Sequence, residues 1–124
     1  MLFRSRRFVE LSTGSRRIVD LACVLAHAPS VLLLDEPSSG IAQREAEALG
    51  PLLLRIREQT GATLLVIEHD VPLLLSIADR LIALDLGEVI AEGDPQEVVQ
   101  RPAVVQSYLG TNEAAIARSG TAEA

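Results

Sequence analysis

The sequence of 124 residues contains no lysine and no tryptophan, and it has one cysteine and three aromatic residues. Without lysine, the chain cannot contain the phosphate-binding loop G-x-x-x-x-G-K-[ST], which requires that residue. With a single cysteine, Cys23, no internal disulfide can form, as is typical of a reducing compartment. Every apolar run is shorter than the roughly 18–20 residues that span a bilayer. Because the basic N-terminus also lacks the apolar stretch of a signal peptide, we expect a cytoplasmic protein.

The net charge of −6 disfavours a broad nucleic-acid-binding surface, because such surfaces carry clustered positive charge. A chain of this length is one domain at most and can bury roughly two-thirds of the surface that it exposes when unfolded. Its apolar residues, 48% of the total, are mainly leucine, valine, isoleucine and alanine. This composition is expected of an α/β protein.

Apolar periodicity, helix caps and turn residues predict the order helix, strand, helix, strand, helix, hairpin, helix. The expected caps and stop signals are Ser12, Gly61, Asp70 and Asp94. The order predicts an α/β fold, with parallel strands, flanking helices and a C-terminal antiparallel hairpin. Residues 111–124 are small and polar, and we expect a flexible tail there.

The run Val31-Leu32-Leu33-Leu34 is followed directly by Asp35 and Glu36. A short apolar run without alternation predicts a strand that is buried on both faces. Ligands of open α/β sheets bind at the carboxyl ends of the strands, where these carboxylates emerge. In an extended backbone the two side chains point to opposite sides, so one could hold a metal ion while the other faces a nucleophile. The alternative is a strand that ends in solvated charge.

Two other segments also place polar residues at the ends of predicted elements. The second predicted strand ends in Glu68-His69-Asp70, and the segment Ser12 to Ser15 precedes a helix. A helix N-terminus presents free N–H groups and a positive dipole end, so an anion such as phosphate is a suitable ligand. Each segment also has a simpler explanation, since Ser12 is a favoured cap and His69 is an ordinary residue at a strand end. Mg²⁺, an activated water and a histidine near a phosphate would together form a phosphoryl-hydrolysis centre.

In this combination the sequence resembles the ATP-binding subunits of ABC transporters, and residues 101–110 resemble those of branched-chain amino-acid uptake systems. The resemblance extends over residues 11–110. The matching segments are residues 11–15 for the signature motif LSGGQ, 31–35 for Walker B, Glu36 for the catalytic glutamate, 38–41 for the D-loop, His69 for the H-loop histidine and 87–98 for the closing pattern of the family.

The resemblance implies a role for each matching residue. Glu36 would be the general base, His69 would hold the γ-phosphate of ATP, and Asp35 would orient Mg²⁺ through water. The signature segment, Ser12, Thr13, Gly14 and Ser15, would contact the nucleotide of a second nucleotide-binding subunit. The implied cofactors are ATP and Mg²⁺, and the implied partners are that second subunit and the transmembrane permease subunits, with no nucleic acid. The implied location is the cytoplasmic face of the inner membrane.

Four positions depart from the family pattern, and one of them is Cys23, which replaces an arginine common in the signature helix. Thr13 replaces the first signature glycine, Ser15 replaces the glutamine, and Ala42 stands where the D-loop has aspartate or asparagine. The Walker A motif, which precedes the signature in this family, is absent. We therefore expect residues 1–110 to be the C-terminal part of a nucleotide-binding domain, with the tail at 111–124.

The expected function is that of an ATP-hydrolysing subunit, or a fragment of one, that couples ATP binding and hydrolysis to solute import. The alternative is a catalytically inactive remnant that acts at most as an interaction module. A DNA-repair or chromosome ATPase is disfavoured, because the sequence has neither a heptad pattern nor a basic net charge.

Overall fold

The computed structural model describes residues 7–108, which form two compact units divided between Ile77 and Ala78. The elements of the first unit are a short 3-10 helix (Phe8–Glu10), α1 (Thr13–Leu25), β1 (Val31–Asp35), α2 (Gln43–Thr60), β2 (Thr63–Ile67) and α3 (Val71–Ile77). Those of the second unit are β3 (Leu81–Asp85), β4 (Glu88–Gly93), α4 (Pro95–Val98) and α5 (Pro102–Tyr108). The expected tail at 111–124 lies outside the described residues.

The strands β1 and β2 pair in parallel, with α2 as the crossover between them. The register runs from Val31 opposite Thr63 to Asp35 opposite Ile67. The second unit contains the antiparallel pair β3 and β4. The predicted α/β class, with a parallel sheet and a C-terminal hairpin, is therefore confirmed. Since parallel strands end at the same edge, the segments that follow β1 and β2 lie side by side.

The core of the first unit covers one face of this sheet. It is built from Leu32 of β1 and from residues of α2 and α3, namely Leu49, Leu53, Ile56, Leu73 and Ile77. Leu34, Leu64 and Val66 pack against it from the same face of the strands. The opposite face is exposed at Val31, Leu33, Leu65 and Ile67.

The prediction that β1 is buried on both faces is therefore wrong. Successive strand side chains point to opposite faces, and in residues 7–108 the apolar partners of β1 lie on the side of Leu32. An uninterrupted apolar run carries no information about how many of its faces are covered. Cys23 is exposed on α1.

The helix ends form as the sequence predicts. The Ser15 N–H donates to Ser12 Oγ at 3.1 Å, so Ser12 caps α1, and the Leu73 N–H donates to Asp70 Oδ1 at 3.0 Å at the start of α3. Gly61 ends α2 in the left-handed conformation with φ 68°, which glycine adopts without strain. These caps fix where each helix begins or ends relative to the sheet edge.

The second unit is a hairpin with two short helices packed on it. The turn residues Leu86 and Gly87 both have positive φ values, 46° and 85°, as a two-residue hairpin turn requires. The Tyr108 hydroxyl donates to the Leu84 carbonyl oxygen at 2.6 Å and ties α5 to β3. Asp94 caps α4 and Pro95 begins it, as predicted. None of the helices within residues 7–108 is long and apolar enough to cross a membrane.

Candidate functional site

The carboxyl edge of the parallel sheet brings together the residues that follow β1 and β2. Beyond the last strand pair, the Glu36 N–H donates to the Ile67 carbonyl oxygen at 2.8 Å. This bond holds the first residue after β1 against the end of β2. As a result, Glu36 and His69, which are far apart in the sequence, become neighbours at the edge.

The backbone turns sharply at Glu36. Its φ is +44°, in the left-handed region that residues with a side chain rarely adopt. Such a conformation costs on the order of 1–3 kcal/mol and is found most often at functional sites. The expected extended geometry of Asp35 and Glu36 is therefore wrong at Glu36, where the chain leaves the strand direction.

The imidazole of His69 lies between two carboxylates. Its Nδ1 atom is 3.7 Å from Glu36 Oε1 and 3.6 Å from Glu68 Oε2. The His69 and Glu36 side chains are both more than half exposed, so both can meet a ligand at the edge. An imidazole ring has two nitrogen atoms that can take part in hydrogen bonds to a ligand at this edge.

Glu68 belongs to the site, although no separate role was predicted for it. Its side chain has no exposed surface. It accepts hydrogen bonds from the N–H groups of Ser38 at 2.7 Å, His69 at 3.0 Å and Asp70 at 3.3 Å. Burial raises the pKa of Glu68, but these bonds and one from the Ser38 hydroxyl outweigh it, so the pKa lies below its ordinary value. The sequence shows only an acidic residue directly after an apolar strand. This pattern does not indicate whether the side chain of that residue is enclosed or exposed.

The signature segment is connected to α2. Ser12 Oγ donates to Glu45 Oε1 at 3.2 Å and also lies 3.0 Å from Ser15 Oγ. Gly14 is buried beneath the same carboxylate, and a Cβ atom added there would lie 2.3 Å from Glu45 Oε2. Glycine at position 14 therefore allows the Glu45 side chain to cross the start of α1. Glu45 is a second residue that sequence reasoning missed.

The expected site residues fall into two groups. Glu36 and His69 meet at the sheet edge, whereas the hydrogen bonds of Ser12 and Ser15 stay within their own segment or reach α2. Asp35 ends β1 with its side chain exposed, and it lines a cavity together with Gly14. These arrangements are compatible with the expected roles, which remain predictions.

The metal expected at Asp35 is a magnesium ion that arrives with a nucleotide. Within residues 7–108, no three histidine, cysteine, aspartate or glutamate side chains are grouped closely enough to form a metal site. Mg²⁺ usually keeps several waters and uses one or two carboxylates together with the phosphates of the substrate. The exposed carboxylate of Asp35 fits that mode of binding, and it does not fit a resident structural metal.

Comparison with known proteins adds independent evidence. The family model described as ABC transporter matches residues 2–39, and the model described as branched-chain amino acid ATP-binding cassette transporter matches residues 88–114. The high-affinity branched-chain amino acid transport ATP-binding protein BraF of Pseudomonas aeruginosa is 33% identical over 108 residues, which are 87% of this chain and 42% of BraF. LivG of Salmonella typhimurium, described in the same words, is 34% identical over 106 residues, covering 86% of this chain and 42% of LivG.

Solved structures agree with the sequence comparisons. The ADP conformation of an ATP-binding cassette of an ABC transporter superposes with a TM-score of 0.72 at 31% identity, covering 82% of this chain and 41% of that chain. A nucleotide-free ATP-binding cassette from an ABC transporter gives a TM-score of 0.72 at 30% identity, covering 80% of this chain and 40% of that chain.

The chain is homologous to part of the ATP-binding domain of ABC transporters, as the sequence motifs predicted. Within that class, its homologues are branched-chain amino acid transport ATP-binding proteins at about 33% identity. The chain spans about two fifths of the length of these relatives.

Proposed function

We propose that the chain works as part of the ATP-hydrolysing subunit of an ABC transporter. In this function, ATP binding and hydrolysis are coupled to solute import, and branched-chain amino acids are the class of solute. The single observation that carries the proposal is the 3.7 Å approach of His69 Nδ1 to Glu36 Oε1 at the carboxyl edge of a parallel sheet. This edge is where α/β proteins bind their ligands.

Each site residue has a task in the proposed hydrolysis. Glu36 accepts a proton from the attacking water as general base, and His69 contacts the γ-phosphate. Asp35 holds Mg²⁺, which neutralises phosphate charge when it is bound. The signature segment, residues 12–15, faces the nucleotide of a second nucleotide-binding subunit. Its place at the positive end of α1 suits an anionic ligand.

The proposed partners are that second nucleotide-binding subunit and the transmembrane permease subunits. BraF and LivG are described as ATP-binding proteins of high-affinity branched-chain amino acid transport, and this description supports the choice of solute class. The proposed location is the cytoplasmic face of the membrane, beside the permease. Nucleic acid is not a proposed partner, because the net charge is −6.

A second candidate function is that of an interaction module without ATPase activity. The observation that favours it is the signature segment, where Thr13 and Ser15 replace residues of the family pattern. In addition, the Ser12 hydroxyl is already engaged by Glu45. In this case Glu36 and His69 would be neighbours at the sheet edge without taking part in a reaction.

Two measurements test the proposed function, and the second also separates it from the interaction module. In the first, Mg-ATP is titrated calorimetrically into the 124-residue chain, and we expect no binding at micromolar nucleotide. Phosphate affinity in P-loop proteins comes mainly from loop N–H groups and a lysine, and this sequence has no lysine. A titration curve with one-to-one stoichiometry would contradict the expectation that the 124-residue chain does not bind Mg-ATP by itself.

In the second measurement, the part of BraF that precedes the matched region is fused to the chain, and ATP hydrolysis is assayed. We expect hydrolysis in the fused domain and a loss of roughly 10²–10⁴-fold in Glu36→Gln, which keeps the shape but removes the base. Nucleotide binding should persist in this variant. No hydrolysis in the unsubstituted fused domain would favour the interaction module, whereas equal turnover with and without the substitution would remove Glu36 from the role of general base.

A further inference from the structure

Glu68 connects the two loops that form the sheet edge. Its Oε1 atom accepts the Ser38 N–H at 2.7 Å, in the loop that follows β1. Its Oε2 atom accepts the N–H groups of His69 and Asp70, at 3.0 and 3.3 Å, in the loop that follows β2. Each carboxylate oxygen therefore serves a different loop. Glu36 lies two residues before Ser38, and His69 directly follows Glu68. The hydrogen bonds of Glu68 therefore connect the two loop segments that contain Glu36 and His69.

The enclosure of Glu68 makes this connection rigid. The side chain has no exposed surface, so water cannot replace a lost hydrogen bond. A buried carboxylate without its donors is strongly disfavoured, which penalises any separation of the two loops. Glu36 itself is held to β2 by its N–H, at 2.8 Å from the Ile67 carbonyl oxygen. Together, these bonds leave little freedom in the distance between Glu36 and His69.

The chemistry of the donors requires a carboxylate at this position. All three backbone partners of Glu68 are N–H donors, and the Ser38 hydroxyl adds a fourth hydrogen bond. Glutamine has the same shape, but one of its two terminal atoms is an NH₂ group, which would face N–H groups of one loop or the other. Aspartate keeps both acceptors but is one methylene shorter. An isosteric change is therefore expected to break half of the connection.

We propose that Glu68 is a positioning residue that ties Ser38 to His69 and thereby holds the imidazole beside Glu36. This inference rests on the proposed ATP hydrolysis for its functional consequence, whereas the connection between the loops can be tested without nucleotide. Glu68 itself touches no reacting atom in this scheme. It acts through His69 and through the loop that contains Ser38.

The structural test is residue-resolved amide hydrogen exchange on the 124-residue chain, read by mass spectrometry with electron-transfer fragmentation. In the unsubstituted chain, the Ser38 amide should exchange about 10–100-fold more slowly than its intrinsic rate, as expected for a hydrogen bond to a charged group. Unprotected Ser38 would overturn the proposal, and this result does not depend on whether any variant folds.

The variants sharpen the structural test. In Glu68→Gln the protection of Ser38 should fall by about tenfold, while Thr63 at the start of β2, whose N–H donates to the Ser30 carbonyl oxygen at 2.9 Å, keeps its protection. Glu47→Gln is the matched control, because Glu47 is an exposed glutamate on α2, and it should leave Ser38 unchanged. Protection of Ser38 that stays within about twofold in Glu68→Gln would overturn the connection.

The functional test uses the fused domain described above. Because Glu68 acts through His69, which contacts the γ-phosphate, Glu68→Gln should lower kcat about tenfold or more and leave the affinity for ADP within about twofold. Glu47→Gln should change neither. Full kcat in Glu68→Gln would overturn the positioning role while the proposed function stands. If the unsubstituted domain does not hydrolyse ATP, the proposed function fails, and the exchange measurements alone decide whether Glu68 connects the loops.

Discussion

His69 Nδ1 lies 3.7 Å from Glu36 Oε1, although the two residues follow different strands. The parallel register of β1 and β2 brings the strand ends together, and the left-handed φ of Glu36 directs the chain out of the sheet at that point. The pair therefore results from topology and from one strained residue. A bound phosphate that displaces one of these two side chains is therefore expected to displace the other as well.

The first prediction concerns His69. If its imidazole contacts the γ-phosphate, His69→Ala in the fused domain should slow hydrolysis and weaken ATP binding while ADP affinity is unchanged. The reason is that ADP lacks the terminal phosphate. Calorimetric titrations with both nucleotides provide the measurement, and Glu47→Gln serves as the control for an exposed substitution. Equal losses for ATP and ADP would indicate that His69 supports the strand end instead.

The second prediction concerns the pH dependence of stability. The pKa of Glu68 lies below its ordinary value of 4.5, because its hydrogen bonds outweigh the effect of burial. A group with a lowered pKa stabilises the fold above its unfolded-state pKa, and this contribution is lost as the pH falls through the folded-state pKa. Glu68→Gln should therefore lower the free energy of unfolding most at neutral pH and progressively less below pH 4.5.

Urea unfolding of the 124-residue chain at a series of pH values between neutral and acidic measures this difference. The difference between the unsubstituted chain and Glu68→Gln should shrink on acidification, while the difference for Glu47→Gln should stay flat. If the difference does not change with pH, ionisation of the Glu68 carboxylate does not stabilise the fold.

The sequence predicts the order of the elements and their caps because these depend on local features. Ser12, Gly61 and Asp70 act within one turn of their own helix, so residue type alone identifies them. The parallel pairing also follows, since a long helix between two apolar runs requires a crossover. The edge at which Glu36 and His69 meet is a consequence of that topology.

The remaining features depend on contacts that no local pattern encodes. Leu33 and Leu32 are identical in type and adjacent, yet Leu32 is buried and Leu33 is 69% exposed. Which of the two meets the core depends on where α2 and α3 pack. Similarly, Glu68 and Glu45 are glutamates like many others in the chain, and only the arrangement of the loops and of α1 gives them their partners.

The third prediction concerns Gly14 and Glu45. Gly14→Ala should place a Cβ atom 2.3 Å from the present position of Glu45 Oε2, so the Glu45 side chain must move away and lose its bond to Ser12. Alanine also gains about 0.5–1 kcal/mol over glycine within a helix. The two effects oppose each other, so the net change in stability should be small in the unsubstituted chain.

A double-mutant cycle separates the two effects. In Glu45→Ala the clash is absent, and Gly14→Ala should then stabilise the chain, by no more than the roughly 0.5–1 kcal/mol of an interior helix position because Gly14 is the second residue of α1. Urea unfolding of the four chains measures the coupling. If Gly14→Ala has the same effect with and without Glu45, the two residues are not coupled and the packing described above is wrong.

The last prediction concerns the exposed face of the β1–β2 sheet, formed by Val31, Leu33, Leu65 and Ile67. Leu33 and Leu65 are register partners, so these side chains form a continuous apolar strip across both strands. Such strips on a sheet favour association, because burial yields about 25 cal/mol per Å² of apolar area. We therefore expect the 124-residue chain to self-associate, with a weight-average mass that rises with concentration in sedimentation equilibrium.

Two substitutions of exposed leucines identify the surface responsible. Leu33→Thr keeps the preference for a strand and removes apolar area from the strip, so it should shift association to higher concentration. Leu86→Asn is the control, since Leu86 is 99% exposed in the hairpin turn and its positive φ of 46° suits asparagine. An equal shift in both variants would point to general hydrophobicity, whereas a monomeric unsubstituted chain would show that the exposed face does not drive association.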